Sequence, residues 1–290
     1  MKKLFMLVGL PASGKSTCAE ILTKTEGALI VSSDAIREEL LGNVNDQTKN
    51  EEIFKEVENR ILYGLKNNNV IYDATNINYK RRMEFLLKIK NAKKIAILIA
   101  TSYEECLERN SKRKRKVPED VIKRMYYNLD VPQTYEGFDE IRIYFNTDKY
   151  YSILDLLKKL SKIPQDNPHH TLTIGKHCGK TAILLNDDMS IVGLLHDIGK
   201  AETKTFINAK GEETRIAHYY NHENVSAYMS LFYTDRRNTE KQLEIANLIR
   251  WHMLLHKELS EKTIKKYKKM FGEETWKKLN LLYEADIQAK

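Results

Sequence analysis

The chain has 290 residues, of which 42% are hydrophobic and 30% charged, and its net charge is +8. This composition is typical of a folded protein with one large or two ordinary domains, and the positive charge favours polyanionic partners. No apolar stretch approaches the length of a membrane span, and the cysteines Cys18, Cys106 and Cys178 are too widely spaced to suggest a disulfide framework. We therefore expect no membrane association and a cytoplasmic location.

The first half of the chain alternates strand-like and helical segments. Apolar, strand-like runs fall at residues 4–8, 28–34, 70–76 and 93–101, with a last one at 141–146, and a helical stretch such as 50–68 lies between two of them. This alternation predicts an α/β domain with a parallel sheet covered by helices on both faces.

The segment at residues 164–170 is polar and contains two prolines, and the residues just before it, 150–163, have a helical pattern. We place a domain boundary there, which gives domains at 1–163 and 164–290. Beyond it, helical periodicity dominates and strand-like alternation is almost absent, so the second domain is predicted to be all-α.

Residues 9–17, GLPASGKST, fit the phosphate-binding pattern G-x-x-x-x-G-K-[ST]. Glycines let the backbone curl so that successive N–H groups face a phosphate, and the helix that follows adds its positive end. Lys15 is expected to reach the β- and γ-phosphates of ATP or another NTP, and Ser16 to hold Mg²⁺. The predicted nucleotide contacts in the loop are Gly9, Ser13, Gly14, Lys15, Ser16 and Thr17.

Two further strand-like runs end in polar residues. SSDAIR places Asp34 and Arg37 one helical turn apart, at the strand end that faces the ligand crevice of such a sheet. Asp34 is a candidate general base for an attacking hydroxyl, and Arg37 a candidate clamp for the acceptor's phosphate. The alternative is a helix N-cap at Asp34 or the serine before it, followed by an exposed arginine. The run ending in DATN offers Thr75 and Asn76 to the acceptor site.

Six of the eight residues from 109 to 116 are basic. A solvated charge run is the ordinary interpretation of such a stretch. Its position after a strand and a helix instead favours a lid that closes over the triphosphate, where arginines stabilise charge on the transferring phosphoryl group. Arg109 and Arg113 are spaced to share one helix face, and Arg115 and Lys116 compete for a third lid position.

The stretches GLPASGKS, VSSDAIR, DATN and RNSKR…VPEDVIKRM together resemble the polynucleotide 5′-kinase family of P-loop phosphotransferases. The resemblance covers about residues 1–150 and implies ATP-dependent phosphorylation of 5′-hydroxyl ends of RNA or DNA. It assigns Lys15 and Ser16 to the P-loop, Asp34 to the general base, Arg37 to the acceptor clamp, and Arg109 and Arg113 to the lid.

All eight histidines lie beyond residue 168, and HDIGK at 196–200 is the sharpest pattern among them. His196 and Asp197 can give a nitrogen and an oxygen to one metal, and Gly199 fits a helix C-cap after them. A hydrogen-bonded core or surface role is the ordinary interpretation of any single histidine. Clustering favours a divalent transition metal (Mn, Ni, Co, Fe or Zn) that activates water. The other candidate ligands are His177, His222, His252 and Asp286.

This second pattern resembles the HD superfamily of metal-dependent phosphohydrolases, and within it the HD domains of bacterial CCA-adding enzymes. The resemblance implies hydrolysis of 2′,3′-cyclic or terminal phosphates. It assigns a first metal to His177, His196, Asp197 and Asp286, and a second to His222 and His252. His170 and Lys200 are assigned to substrate phosphate, whereas His169, His218 and His256 are interpreted as surface or outer residues.

A 5′-kinase joined to such a phosphohydrolase would heal both ends of cleaved RNA, and sealing would need a separate RNA ligase. Two alternatives stay open. One is a small-molecule or nucleotide kinase fused to a nucleotide phosphohydrolase, and the other is a non-catalytic nucleotide sensor that binds RNA ends.

Overall fold

The computed structural model describes residues 1–147, 149, 151–168 and 170–290, which leaves His169 outside the described residues. The chain forms two compact units. The first comprises Met1–Met125 and Pro132–Asp148, and the second comprises Tyr126–Val131 and Lys149–Lys290. Among the described residues, no helix combines the length and the apolar character that crossing a membrane requires. The cytoplasmic location stays a prediction.

The first unit alternates strands and helices as the sequence predicts. Its elements, with α6 running on into the second unit, are β1 (Lys2–Val8), α1 (Lys15–Glu26), β2 (Leu29–Ser32), α2 (Ser33–Leu41), α3 (Asn50–Gly64), β3 (Val70–Asp73), α4 (Tyr79–Leu86), β4 (Ala92–Ala100), α5 (Tyr103–Ser111), α6 (Glu119–Tyr127), a 3₁₀ turn (Thr134–Glu136) and β5 (Glu140–Phe145).

The five strands form one parallel sheet in the order β2-β3-β1-β4-β5. The α/β fold class is thereby confirmed. Leu4 to Val8 of the central strand are all buried, because helices cover both faces of a parallel sheet. After β1 the chain moves to one side of this strand, and β4 returns on the other. Ligands bind at such a reversal, beyond the carboxyl ends of the strands.

A fully buried ion pair fixes the end of β3. The guanidinium of Arg82 donates to both carboxylate oxygens of Glu136 at 2.6 and 2.7 Å, and also to the carbonyl of Asn76 at 2.8 Å. The Glu136 carboxylate also accepts from the backbone N–H of Gln133 at 2.9 Å. The pair thus ties the turn after β3 to the 3₁₀ turn before β5.

The second unit is mostly helical, as predicted. Its elements are α7 (Ile153–Leu160), α8 (Ile174–Leu184), α9 (Asp187–Leu195), α10 (Lys200–Thr203), β6 (Lys204–Ile207), β7 (Glu213–Tyr219), α11 (His222–Tyr233), α12 (Thr239–Trp251), a 3₁₀ turn (His252–Leu254), α13 (Glu261–Phe271) and α14 (Glu273–Gln288).

An antiparallel hairpin, β6 with β7, departs from the all-α expectation for this unit. Its connecting loop is built by Asn208, whose side-chain oxygen accepts from the backbone N–H groups of Lys210 and Glu212 at 2.9 and 3.0 Å, and by Gly211 at φ +85°. Asparagine and glycine are ordinary turn residues. The strands were missed because polar side chains lie on both of their faces.

The segment before α8 is built into the second unit. The backbone N–H of Ile174 donates to the carbonyl of Ile163 at 3.0 Å, and a Cβ on Gly175 would lie 2.5 Å from the backbone nitrogen of Ser161. The helix that the sequence places at the end of the first part, α7, therefore packs closely on α8. The domain boundary at residue 163 stays a prediction.

Replacing Glu136 with Ala should destabilise the first unit by about 3–5 kcal/mol, because it leaves the buried charge of Arg82 without its partner. Urea unfolding followed by circular dichroism measures this change. Fluorescence of Trp251 and Trp276, the two tryptophans of the chain, reports the second unit separately. In contrast, Glu39→Ala removes the surface partner of Arg60 and should leave the transitions nearly unchanged. Equal midpoints for the two variants would contradict a structural role for the buried pair.

Candidate functional sites

The predicted phosphate loop lies between β1 and α1. Gly14 has a φ of +103°, and a Cβ there would lie 2.3 Å from the side-chain nitrogen of Asn146, so the position requires glycine on both counts. The ammonium of Lys15 donates to the loop carbonyls of Gly9 at 3.1 Å and Leu10 at 2.6 Å. Burial lowers the pKa of Lys15 to about 8, although the Asp73 carboxylate opposes this shift.

Asn146 contacts the phosphate loop, and the sequence analysis did not identify it as part of this site. Its side chain donates to the carbonyl of Ser13 at 2.7 Å, and the hydroxyl of Thr101 donates to the same carbonyl at 2.8 Å. The guanidinium of Arg109 donates to the carbonyl of Asn146 at 2.7 Å. The first lid arginine is therefore linked to the phosphate loop through one residue. The Ser13 hydroxyl is buried and bonds to none of the described residues. Ser16 and Thr17 are exposed on the first turn of α1.

Asp34 and Arg37 are paired at the start of α2. The N-cap of this helix is Ser32, whose hydroxyl accepts from the N–H of Ala35 at 3.4 Å, so capping does not occupy Asp34. Arg37 is 4% exposed and donates to Asp34 at 3.1 Å and to the side-chain oxygen of Asn50 at 3.0 Å. The alternative of an exposed arginine is therefore wrong. Asp34 itself is 53% exposed.

The turn after β3 is held mainly by its own contacts. Asn76 has a φ of +46°, and its side chain donates to the carbonyl of Leu7 at 2.9 Å. The carbonyl of Thr75 accepts from the N–H of Gly9 at 3.1 Å. These bonds connect the turn to β1 and the phosphate loop. Contact of Thr75 and Asn76 with an acceptor stays a prediction. Burial raises the pKa of Asp73, and the Lys15 ammonium opposes that shift.

The basic segment connects α5 and α6. Arg113 lies close enough to Lys15 for its positive charge to contribute to the lowered pKa of that lysine. Arg115, which competed with Lys116 for the third lid position, donates to Asp34 at 2.7 Å. The segment is thus more than a solvated charge run, since two of its arginines lie near residues of the predicted kinase site.

In the second unit, four imidazoles meet with the same orientation. The Nδ1 atoms of His196, His222 and His252 lie 2.8, 2.8 and 2.7 Å from backbone carbonyl oxygens three residues earlier. His177 makes a longer contact of 3.5 Å to the carbonyl of Ala289. A carbonyl only accepts, so the proton of each neutral ring is on Nδ1 and the Nε2 lone pair is left available.

The helix ends explain this arrangement. His196 and His252 are the C-cap residues of α9 and α12, where the last carbonyls lack intrahelical donors and can accept from an imidazole. The C-cap role expected of Gly199 is wrong. Its φ is −69°, and glycine is needed there because a Cβ would lie 2.6 Å from the carbonyl of His222. Close packing against α11, and not backbone conformation, selects glycine.

The Nε2 atoms form two pairs, 3.2 Å apart for His177 and His196 and 3.3 Å apart for His222 and His252. Two lone pairs at such distances repel each other unless a proton or a metal cation lies between them. Asp197 is shared by both pairs. Its Oδ2 lies 3.3 Å from the Nε2 atoms of His177 and of His196, and its Oδ1 lies 3.2 and 3.5 Å from those of His222 and His252.

Asp286 completes the first group, with Oδ1 at 2.9 Å from Nε2 of His177 and 3.7 Å from that of His196. His256, which the sequence analysis interpreted as a surface or outer residue, lies 2.8 Å from its other oxygen. The predicted ligands therefore converge, and two groups are able to hold an ion: His177 with His196 and Asp197, and Asp197 with His222 and His252.

The charges within the site offset one another. Burial opposes ionisation of Asp197, but the Lys200 ammonium and His196 outweigh it and hold the pKa of Asp197 well below its usual range. Burial likewise opposes protonation of His196, yet the neighbouring carboxylates raise its pKa well above the ordinary value. Burial dominates at His252, whose pKa is lowered. The site is thus an anionic centre that attracts protons or metal cations.

Lys200 and His170 lie beside this centre. The Lys200 ammonium contacts Asp197 at 2.6 Å and the side-chain oxygen of Gln165 at 2.9 Å. The His170 ring packs edge-on against His177 at 5.2 Å, and burial lowers the pKa of His170 to about 3, which keeps the ring neutral. Its buried Nδ1 has no hydrogen-bond partner among the residues that the structure describes. Substrate binding by either residue stays a prediction.

The donor set fits a pair of divalent transition metals. Imidazole and carboxylate ligands suit Mn, Fe, Co, Ni and Zn. Asp197 Oδ1 and Asp286 Oδ1 are buried and face imidazole Nε2 atoms, yet neither accepts a hydrogen bond from any described residue, so one oxygen of each carboxylate is available to an ion. The Nδ1 contacts to carbonyls also fix the ring orientations that metal ligation by Nε2 requires.

Family comparisons divide the chain in the same order. Residues 4–132 match the family model of the AAA domain, and residues 169–286 match that of the HD domain. A curated relative, the L-seryl-tRNA(Sec) kinase of Methanococcus maripaludis, is 28% identical over 172 residues, which cover 56% of this chain and 66% of that protein.

Solved structures with partial similarity include two of Pnkp1/Rnl/Hen1. The one described as an RNA repair complex has 30% identity and a TM-score of 0.39 over 43% of this chain and 42% of that chain. The other has 28% identity and a TM-score of 0.36 over 52% of this chain and 49% of that chain. A gluconokinase from Sinorhizobium meliloti has 15% identity and a TM-score of 0.39 over 51% of this chain and 84% of its own. The chain thus spans less than half of both Pnkp1/Rnl/Hen1 chains.

Replacing Asp197 with Ala should release all bound transition metal, because this carboxylate belongs to both groups of ligands. His252→Ala removes a ligand from one group only and should release about half of the metal. Elemental analysis of each purified protein measures the content. Asp235→Ala, at an exposed carboxylate paired with Arg237, is the matched control and should retain the wild-type amount. Equal metal content in wild type and Asp197→Ala would remove Asp197 from the ligand set.

Proposed function

Because the chain carries a P-loop kinase domain followed by an HD domain, we propose that it is a bifunctional enzyme that heals the ends of broken nucleic acid. The first unit phosphorylates 5′-hydroxyl ends of RNA or DNA with ATP. The second hydrolyses 2′,3′-cyclic or terminal phosphates at the other end. The observation that supports the proposal is the presence of two clusters of charged side chains, one at Lys15, Asp34 and Arg37 and the other around Asp197.

In the kinase unit, Asp34 receives the proton of the acceptor hydroxyl as that oxygen bonds to the γ-phosphorus. The bond between the γ-phosphorus and its bridging oxygen breaks, and ADP leaves with the electron pair. Asp34 suits this role because its carboxylate is exposed, whereas Arg37 beside it is buried. Lys15 and the lid arginines stabilise charge on the phosphoryl group. Ser16 would hold the Mg²⁺ that accompanies ATP, and this ion would supply further positive charge to the phosphates.

In the HD unit, His177, His196, Asp197 and Asp286 would hold one ion, and Asp197, His222 and His252 a second. A divalent metal there would supply Lewis acidity and lower the pKa of a bound water. Lys200 adds a positive charge at the rim of the carboxylate cluster, where it can neutralise a substrate phosphate. His170 is neutral and presents a buried Nδ1, which can donate one hydrogen bond to the same phosphate when the ring proton is on Nδ1.

The two activities serve one purpose. Cleavage that leaves a 5′-hydroxyl and a 2′,3′-cyclic phosphate produces ends that a ligase cannot join. This enzyme would restore a 5′-phosphate and a free 3′ end, and a separate RNA ligase would then seal them. The net charge of +8 is compatible with such polyanionic substrates.

A second candidate function follows from the curated relative, whose name identifies it as a kinase of L-seryl-tRNA(Sec). This similarity favours an acceptor hydroxyl on a group attached to tRNA. The kinase centre has the same chemistry in both cases, so acceptor choice distinguishes them. Phosphate transfer to a 5′-hydroxyl oligonucleotide supports end healing, and transfer only to seryl-tRNA supports the second candidate.

The proposed function is tested with an oligonucleotide that carries a 5′-hydroxyl and a 2′,3′-cyclic phosphate, incubated with and without ATP. Mapping of both ends should show 5′ phosphorylation with ATP, and 3′ hydrolysis with a transition metal alone. Lys15→Ala should abolish only the first activity and Asp197→Ala only the second, because each centre has its own cation. If neither end changes with the wild-type protein, the end-healing proposal is wrong.

Asp34→Ala should lower the turnover of 5′ phosphorylation at saturating ATP by about 10²–10⁴-fold, the usual contribution of a general base. The KM for ATP should change little, since Asp34 contacts no part of the phosphate loop among the contacts described. Initial rates with labelled ATP measure both quantities. Near-normal turnover would mean that Asp34 only orders Arg37.

A further inference from the structure

Helix α13 carries lysines on one exposed face. Its sequence, EKTIKKYKKMF, contains five lysines and one glutamate. Four of the lysines are exposed, and the last three follow the first by three, four and seven residues, which places all four on about a third of the helix circumference. These residues form one surface, which we refer to as the lysine face: Lys262, Lys265, Lys266 and Lys269.

The lysine face has no carboxylate partners. None of its four ammonium groups forms an ion pair with a described residue. Lys268 on the same helix differs, because it pairs with Glu273 at 3.3 Å and lies 6.0 Å from the centre of the Trp276 ring. Like charges three or four residues apart repel each other along a helix. A bound polyanion would offset this repulsion, which no pairing within the described chain does.

The opposite, apolar face of α13 is covered. Tyr267 and Phe271 pack on Trp251, with ring centroids 5.3 and 5.2 Å away, and Trp251 directly precedes the candidate ligand His252. A basic amphipathic helix binds a membrane by inserting its apolar face into the lipid. That face is used here within the protein, so α13 attracts a partner by charge alone. A nucleic acid backbone, which presents a row of negative charges, fits this requirement.

The start of α13 lies near the metal centre. His256 contacts Asp286 at 2.8 Å and lies four residues before Ser260, the N-cap of the helix. The other end of α13 contacts the start of α14, where Lys268 lies over Trp276. Trp276 is ten residues before Asp286, which corresponds to about 15 Å along α14. The lysine face therefore extends outward from the neighbourhood of the centre, over about 10 Å.

We propose that the lysine face binds the phosphate backbone of an RNA strand whose 3′-terminal phosphate lies at the metal centre. Phosphates upstream of that end contact α13, while the terminal phosphate is hydrolysed. The HD unit therefore prefers the ends of polynucleotides to cyclic mononucleotides. This inference rests on the proposed function and names the substrate class of its second centre.

Binding through the lysine face should depend strongly on salt. Each lysine that neutralises a phosphate releases a cation from the strand, and the slope of log K against log salt changes by about −0.7 per contact on a single strand. The lysine face as a whole would contribute a slope of at most about −3. A mononucleotide has no upstream phosphate, so its binding gains nothing from α13.

The test compares two double variants. Lys265→Ala with Lys269→Ala removes two charges from the lysine face, and alanine preserves the helix. Lys158→Ala with Lys159→Ala removes two exposed charges from α7 and is the matched control. Fluorescence anisotropy of a labelled RNA of about ten nucleotides measures the affinity between about 50 and 200 mM salt, without added divalent metal. We expect the α13 variant to bind about fivefold more weakly at the lower salt concentration, with a slope smaller by about 1.4, and the control to equal wild type.

Hydrolysis gives the second measurement. With an RNA of the same length that ends in a 2′,3′-cyclic phosphate, the α13 variant should show a KM raised by the same factor. Its KM for 2′,3′-cyclic AMP and its content of bound metal should equal those of wild type, because α13 contributes none of the candidate metal ligands. The control variant should match wild type in all three quantities.

Two results would overturn the inference. Equal salt slopes for wild type and the α13 variant would make the lysine face an ordinary solvated surface. An equal rise in the KM values for RNA and for cyclic AMP would place the effect at the metal centre and not on the strand. In contrast, weaker RNA binding by the α13 variant, with no hydrolysis of any 3′ end by wild type, would keep the lysine face and reject end healing. Circular dichroism of both variants excludes misfolding as the cause.

Discussion

The helical unit depends on one buried carboxylate. Asp197 is 2% exposed, and its two oxygens contact four imidazole nitrogens and the Lys200 ammonium. Removing such a charge from water costs several kcal/mol, so it is stable only among partners of opposite charge. The ends of α9 and α12 and the starts of α10 and α11 meet at this point. Asp197 thus links the termini of these four helices.

The first unit provides charge in a different way. Phosphate would be held there by backbone N–H groups, by Lys15 and by arginines. Burial lowers the pKa of Lys15 to about 8 although the Asp73 carboxylate opposes the shift, and a bound phosphate would further favour the charged ammonium. One centre is therefore anionic and receives cations, and the other is cationic and receives anions. This difference is the reason for expecting Lys15→Ala and Asp197→Ala to affect different activities.

The sequence predicted most of what depends on local pattern. The residues that define GLPASGKST, SSDAIR and HDIGK lie within one short loop or helical turn each, so their spacing is visible in the sequence. His177, His222, His252 and Asp286 were proposed as metal ligands from their residue types and their clustering in the second half of the chain. It did not predict contacts between distant segments: Asn146 on the phosphate loop, His256 on Asp286, Glu136 with Arg82, or Arg115 on Asp34. The sequence also did not show that segment 126–131 belongs to the second unit. No local pattern indicates that Asp130 pairs with Arg250, at 2.7 Å. Such pairings depend on the folded chain and leave no periodic signal.

The central claim is that Asp197 joins two metal positions. Metal-depleted protein titrated with Mn²⁺ and followed by electron paramagnetic resonance tests it directly. The arrangement of the four histidines around one carboxylate predicts saturation at two ions per chain, with the second ion converting an isolated Mn²⁺ spectrum into that of a spin-coupled pair. Two independent Mn²⁺ signals at saturation, or saturation at a single ion, would contradict a shared carboxylate between two metal positions.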